Sequence, residues 1–277
     1  MGTSQKIIPG VTGQPNWGDL SKSVTQIAKT VEKEQEIEGQ YEESEPDSPQ
    51  LDRLIQNLFK KRKAYLKSAF NNLVKSSGGK SSVARGKSKS LGKAGLKSSG
   101  KLVGFVANVS SRGLQEALTD IGFGSLTGKN LNQVLEYLLV YCTDTNTGMD
   151  DTAANKAFCE VLNMLADQSG NELDSFEELL KNSVDGNGLS ELLCAYWGFY
   201  IFEHLSQKFK EKITKERGEV VSRETFRIIK DDIFGQIRVL NSKRPISKID
   251  WKGAEGEKEI ASIFESIINI LCDESGN

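Results

Sequence analysis

Every apolar cluster between Leu114 and Leu271 recurs at the three-to-four residue spacing of a helix face, and none sustains a period of two. Leu114, Leu118 and Ile121 come first and are followed by Gly122 and Gly124. Leu131, Val134, Leu135, Leu138 and Leu139 form the next face, and Asn130 with Gln133 ahead of it has the form of a capping box. Ala154, Phe158, Val161, Leu162 and Leu165 follow, stopped by Ser169 and Gly170. Asp174 with Glu177 gives a second capping signal before Phe176, Leu179 and Leu180. The run from Leu189 to Phe209 is the most apolar and carries Trp197, so it is expected at the centre. Phe226, Ile229, Ile233, Ile237 and Leu240 continue the series, and Ile260, Ile263, Phe264, Ile267, Ile268 and Leu271 close it. The pattern predicts an all-α fold with a helical domain over 101–274.

Two less regular parts precede that domain. Residues 1–47 read as a flexible tail, Gly- and Pro-rich up to Asn16, with room for one short helix. Leu20, Val24, Ile27 and Val31 have helical spacing behind the capping residue Asp19. One narrow stripe needs a partner surface to hold it. The acidic stretch through Asp47 is expected to be flexible. Residues 48–100 read as one helix and a basic Lys/Ser/Gly linker. Ser48 before Pro49 is a cap and first-turn pair. Leu51, Leu54, Ile55, Leu58, Tyr65, Leu66, Phe70 and Leu73 share the helix face, and Ser76 to Gly79 end it. From residue 80 to 101 the chain is mostly Lys, Ser, Gly and Ala, mobile unless a partner covers Leu91, Leu96 and Leu102.

The formal net charge of -2 conceals a division into blocks. From Glu32 to Asp52 there are nine acids and one base, Lys33. From Arg53 to Gln115 there are fifteen Lys or Arg and no acid. Lys60, Lys61, Arg62, Lys63, Arg85, Lys87 and Lys89 are therefore candidate anion-binding residues, and nucleic acid is a candidate partner. Between Lys60 and Lys101 only Tyr65 and Phe70 are aromatic, so base stacking is not suggested. Pairing with the acidic segment, a solvated linker, or a docking surface for an acidic protein are competing readings.

No catalytic constellation emerges. Gly122 to Lys129 reads GFGSLTGK, but Phe123 stands where a phosphate loop needs its first glycine and Asn130 replaces the magnesium hydroxyl. Gly86-Lys87-Ser88 also fails, because Ser81 stands in the glycine position. Both read as ordinary turns. Asp144 to Asn155 departs from a calcium loop at its glycine and at its last ligand, and Asp185 to Gly188 is a simple turn. His204, the only histidine, reads as a surface residue beside Glu203. With one His and no paired Cys spacing, no metal site is expected, nor any cofactor. Cys142, Cys159, Cys194 and Cys272 read as reduced thiols, mostly in the core. No apolar run approaches the ~20 residues of a membrane span. The N-terminus has no export pattern, so a cytoplasmic, non-enzymatic protein with no membrane contact is expected.

The chain opens Met1-Gly2-Thr3-Ser4. Removal of Met1 would expose the α-amine of Gly2, whose class has a pKa of about 7.7–8.0 and is partly nucleophilic near neutrality. Glycine adds no side-chain bulk there. A myristoylation pattern wants Ser or Thr where Lys6 stands. This opening, the basic Gly/Ser/Ala segment and the helical remainder together resemble the QatB family. The family's central signature is resembled by Lys101-Leu-Val-Gly-Phe105, Ser111 to Leu118, and Leu126 to Asn130 running into Leu135 to Leu139, Tyr141 and Cys142. The likeness covers the first residues and roughly 83–210. The chain departs from it in a Lys/Glu-rich rather than Pro-rich N-terminal region, in Gln5 to Asn16, and in a longer C-terminal stretch.

The resemblance implies a component of the Qat anti-phage defence system, alongside an ATPase, a QueC-like enzyme and a TatD-like nuclease. It implies an adaptor whose Gly2 amine accepts an adenylated 7-deazaguanine carboxylate from the QueC-like enzyme, with Thr3 and Ser4 read by that enzyme's pocket. A flexible leader of about 50 residues would span roughly 40 Å and deliver the amine.

Overall fold

A computed structural model describes residues 17–43, 49–143, 148–184, 188–242 and 254–272. They form eleven helices: α1 (Gly18–Glu43), α2 (Pro49–Ser76), α3 (Lys80–Ala84), α4 (Lys93–Arg112), α5 (Leu114–Asp120), α6 (Leu131–Cys142), α7 (Met149–Gln168), α8 (Leu173–Val184), α9 (Gly188–Arg217), α10 (Glu219–Ser242) and α11 (Ala254–Cys272). No strand occurs among the described residues, as the helical periodicity requires.

The apolar run expected at the centre is α9, which touches α1, α4, α7, α8, α10 and α11. Its Tyr196, Trp197 and Tyr200 are wholly buried. Trp197 stacks on Phe264 of α11 with ring centroids 4.0 Å apart, which locks the last helix to the central one. Around this axis the stripes meet as their spacing dictates. Phe158, Val161 and Leu165 of α7, and Phe226, Ile229 and Ile233 of α10, are all buried. Burying each such side chain stabilises the fold by about 1.5–3 kcal/mol before entropy is counted. Asn130 caps α6 with both bonds of the capping box to Gln133 in place.

The first correction concerns the N-terminal part. The acidic stretch is not a flexible tail up to its end, because α1 runs without a break to Glu43. Leu20, Val24, Ile27 and Val31 are fully buried, chiefly against α2, which supplies the partner surface the stripe needs. Ser23 meets Ser68, and Thr30 meets Arg62, so α1 and α2 form an antiparallel hairpin. Lys212 of α9 donates to Ser21 at 2.7 Å, and Arg217 pairs with Glu32, fastening that hairpin to the centre.

The second correction concerns the basic linker. Residues 80–101 are folded, with α3, a turn and the first half of α4, and Val83 and Leu91 are fully buried. Their partner is the chain itself. The small residues that resemble a linker are a packing face: Gly95, Ser98 and Ser99 are buried while Lys93 and Lys97 point outward. A Cβ on Gly95 would lie 2.6 Å from Trp197 and 2.8 Å from Tyr200, so α4 lies against α9 at a distance only glycine permits. Low complexity here records close helix contact rather than mobility.

Candidate functional site

The residues singled out in the basic block separate into three environments. Arg62 is buried at 5% exposure, and its guanidinium donates to the Thr30 hydroxyl at 3.0 Å, to the Thr30 carbonyl, and to Glu34. It is an internal tie between α1 and α2, not an anion-binding residue, which corrects the sequence expectation. Lys63 is exposed but lines a groove of 690 Å³ between α1, α2 and α10 that also holds Glu34, Glu38, Glu224, Asp231 and Asp232. Burial raises the Asp232 pKa, with the Gln236 hydrogen bond and the Lys63 charge opposing. Within this groove Arg227 is paired to Glu224 and Asp231. Arg62, Lys63, Arg223 and Arg227 nearly balance these acids, so the lining offers no surplus of positive charge to a phosphate. Lys60, Lys61, Arg85, Lys87 and Lys89 are exposed, the last three on the turn between α3 and α4. Gly2, Thr3 and Ser4 lie outside the described residues, as do the Ser48 cap, Asp144 to Asn146 and Asp185 to Asn187.

A second groove, of 760 Å³, runs beside α4 and is floored by aliphatic and aromatic side chains. Arg85, Lys97 and Lys101 stand around it, against one acid, Glu257 of α11. Lys101 is held in place: its ammonium donates to the Tyr141 carbonyl at 2.7 Å and lies over the Tyr141 ring at 5.3 Å. Lys97 and Lys101 are not among the residues picked out from sequence. Their spacing of four from Lys93 is the signal that finds them, once α4 is known to be a helix.

His204 also departs from the sequence expectation. It is a core residue, 1% exposed, rather than a surface neighbour of Glu203. It faces Asp150, the second residue of α7, itself 3% exposed. The Asp150 carboxylate accepts from the backbone N–H of Ala94 at 2.8 Å and of Gly92 at 3.3 Å, and from the Tyr200 hydroxyl. His204 Nε2 lies 3.3 Å from the same carboxylate, within ion-pair range but angled away from a hydrogen bond, and Nδ1 has no hydrogen-bond partner among the described residues. Burial alone would raise the Asp150 pKa. Contact with His204, the Ala94 N–H and the Tyr200 hydroxyl more than offset it and hold it below the ordinary carboxylate value. Burial, then the Asp150 charge, push the Tyr200 phenol well above its ordinary value.

This cluster caps a helix from a distance. Gly92 is the N-cap of α4, has no side chain, and adopts φ 110. Asp150 supplies the missing acceptor and places its charge at the positive end of α4. With every oxygen engaged and no opening to solvent, it is a fastening rather than a reactive centre. The turn GFGSLTGK is an ordinary one: Gln115 braces it by accepting from Leu126 N–H and donating to the Gly124 carbonyl, both at 2.8 Å. Cys142, Cys194 and Cys272 are buried thiols and Cys159 is half-buried. Burial pushes the Cys142 thiol up to about 12. Among the described residues no group of three His, Cys, Asp or Glu side chains is placed to hold a metal. Nor is any described helix long and apolar enough to cross a membrane.

The chain is thus a helical bundle whose ionisable core is closed and whose accessible grooves are one of mixed charge and one with a basic excess. It belongs to the QatB family: the family model described as Qat anti-phage system associated protein QatB matches residues 78–271. It is accordingly a component of a Qat anti-phage system. No curated protein and no solved structure matches it. The matched segment begins after α2, so both α4 and its groove fall inside it and the α1–α2 hairpin falls outside.

Proposed function

We propose that the protein is a non-enzymatic adaptor of its Qat system and that the Gly2 α-amine is the acceptor in modification by a QueC-like enzyme. Family membership carries the reading, together with the Met1-Gly2-Thr3-Ser4 opening, whose second residue is the least hindered amine a chain can present. Such an enzyme activates a carboxylate as its adenylate. The neutral amine attacks the acyl carbon, an amide forms, AMP leaves, and the amine loses a proton. Thr3 and Ser4 would be read by the pocket that receives Gly2. The helical bundle docks on a partner, the Qat ATPase or the enzyme itself, with the TatD-like nuclease as a further member of the assembly.

Helix α1 shortens the leader that this delivery uses. Trp17, buried at 6% exposure, is the first buried side chain among the described residues, and 15 residues, Gly2 to Asn16, precede it once Met1 is removed. Fully extended, a chain of that length reaches about 50 Å. The QueC-like active site must therefore come within that distance of the start of α1. Co-expression with the enzyme is expected to raise the intact mass of the chain by one acyl group after loss of Met1, and Gly2→Pro is expected to abolish the increase. An unchanged mass with a free Gly2 rejects the reading.

A second reading, contact with nucleic acid through residues 53–112, is favoured by the exposed turn carrying Arg85, Lys87 and Lys89. It predicts affinity for duplex DNA or RNA that falls steeply with salt and is lost on triple reversal of those residues to Glu. Absent or salt-independent binding of the isolated protein removes it.

A further inference from the structure

The groove beside α4 has three properties that the fold itself does not require. Its lining carries Arg85, Lys97 and Lys101 against a single acid, Glu257. Its walls leave Leu96 and Ile121 half-exposed. Its α4 side is opened by Gly100 and Gly104, where an added Cβ would meet nothing within 4 Å. The contrast with Gly95 on the same helix is direct, because there a Cβ would strike Trp197. Glycine inside a helix is unfavourable relative to alanine. At Gly95 packing explains it, while at Gly100 and Gly104 no part of the described chain fills the space.

We propose that this groove docks an acidic amphipathic helix of a partner protein, its apolar face over Leu96 and Ile121 and its carboxylates toward Arg85, Lys97 and Lys101. From Leu96 to Asn108 the groove follows α4 for roughly 18 Å, about three helical turns. An extended peptide would need unpaired backbone groups to bond to. A helix flank offers none, and the described residues contain no sheet edge. A helix satisfies its own backbone and needs only apolar burial and charge complementarity, and glycine at Gly100 and Gly104 lets it approach closely. Nucleic acid fits less well, since Glu257 stands in the groove and the ring of its half-buried aromatic, Tyr141, is covered by Lys101. This inference rests on the adaptor reading and names the surface through which the adaptor would be held.

The test uses the full chain co-expressed with the other proteins of its Qat system. A photo-reactive p-benzoylphenylalanine replaces Asn108 at the far end of the groove. Irradiation is expected to join it to one segment of another protein, acidic overall and with apolar residues at helical spacing. Arg85→Glu with Lys97→Glu should lower the cross-link yield at least tenfold, and converting two acids of the joined segment to Lys should restore it. Gly100→Leu should also lower the yield while leaving the melting temperature unchanged or about 2 °C higher. No cross-link, a cross-link to nucleic acid, to a second copy of this chain or to a basic segment, or failure of the charge exchange would each overturn the proposal. The intact mass at Gly2, read in the same samples, reports on the modification separately, so loss of one result does not imply loss of the other.

Discussion

Asp150→Ala is expected to lower the folding free energy by about 3–5 kcal/mol, read as a fall in the denaturant midpoint with little change in its slope. The carboxylate holds three donors that have no water to turn to: the N–H groups of Gly92 and Ala94 and the Tyr200 hydroxyl. Removing it leaves the Ala94 N–H and the Tyr200 hydroxyl buried without an acceptor, while the Gly92 N–H keeps the Tyr200 oxygen at 2.5 Å. Each orphaned group costs about 1–3 kcal/mol. The start of α4 would also lose its cap and the charge that favours its positive end. Domains of this kind have net stabilities of about 5–15 kcal/mol, so one substitution removes a large fraction. Asp150→Asn separates shape from charge. It keeps an acceptor for Ala94 and should cost less than Asp150→Ala.

The same pair of proteins gives the pH dependence. Because contacts hold the folded pKa of Asp150 below the ordinary value, the unfolded chain takes up the proton first as pH falls. The stabilisation is complete above the ordinary carboxylate pKa of about 4 and is lost as pH falls through the folded value. Wild type should thus lose its advantage over Asp150→Asn only below that range. A constant difference down to strongly acidic pH would show that the charge contributes nothing, and a loss below about 1 kcal/mol for Asp150→Ala would show that the carboxylate is not the cap.

Local signals were legible in the sequence wherever the partner was also local. The capping box of Asn130 and Gln133 lies within four residues, and both its bonds form. The stripes of α1, α7, α10 and α11 follow the helical period and are buried as that period implies. Signals completed from afar misled. Asp174 and Glu177 have the spacing of a capping box, yet both lie within α8, and Glu177 instead accepts from the N–H of Leu114 at 3.2 Å, capping α5. Nothing near Gly92 in the sequence announces that its cap is Asp150. His204 looks solvated beside Glu203 because its burial is decided by α7, which lies ~50 residues earlier. The acids of α1 read as a flexible run because their cations, Arg62 and Arg217, belong to other helices. The same limit applies to the candidate site. Arg85 was visible as a base in a basic block, but the groove that gives it meaning exists only once α4 and α11 are packed together.

The residue that looked most like linker should prove among the least replaceable. Gly95→Ala is expected to destabilise the fold by about 2–3 kcal/mol, although the same change in an exposed helix would stabilise it by roughly 0.5–1 kcal/mol. The added methyl would lie 2.6 Å from the Trp197 ring and 2.8 Å from Tyr200, well inside van der Waals contact. Neither ring can yield. Trp197 is stacked between α4 and Phe264, and Tyr200 is tied by its hydroxyl to Asp150. Relief requires α4 to move away from α9, which would open the contact along the buried Ser98 and Ser99 and draw Gly92 and Ala94 away from their cap. Gly100→Ala and Gly104→Ala on the same helix provide the control, since their methyls meet nothing and should raise stability slightly. Thermal melts of the three alanine variants decide the matter by sign. Gly95→Ala should melt on the order of 5–10 °C below wild type, and the other two at or above it. A Gly95→Ala protein as stable as wild type would mean that residues 80–101 are not packed on α9 and that the segment is the loose linker its composition suggests.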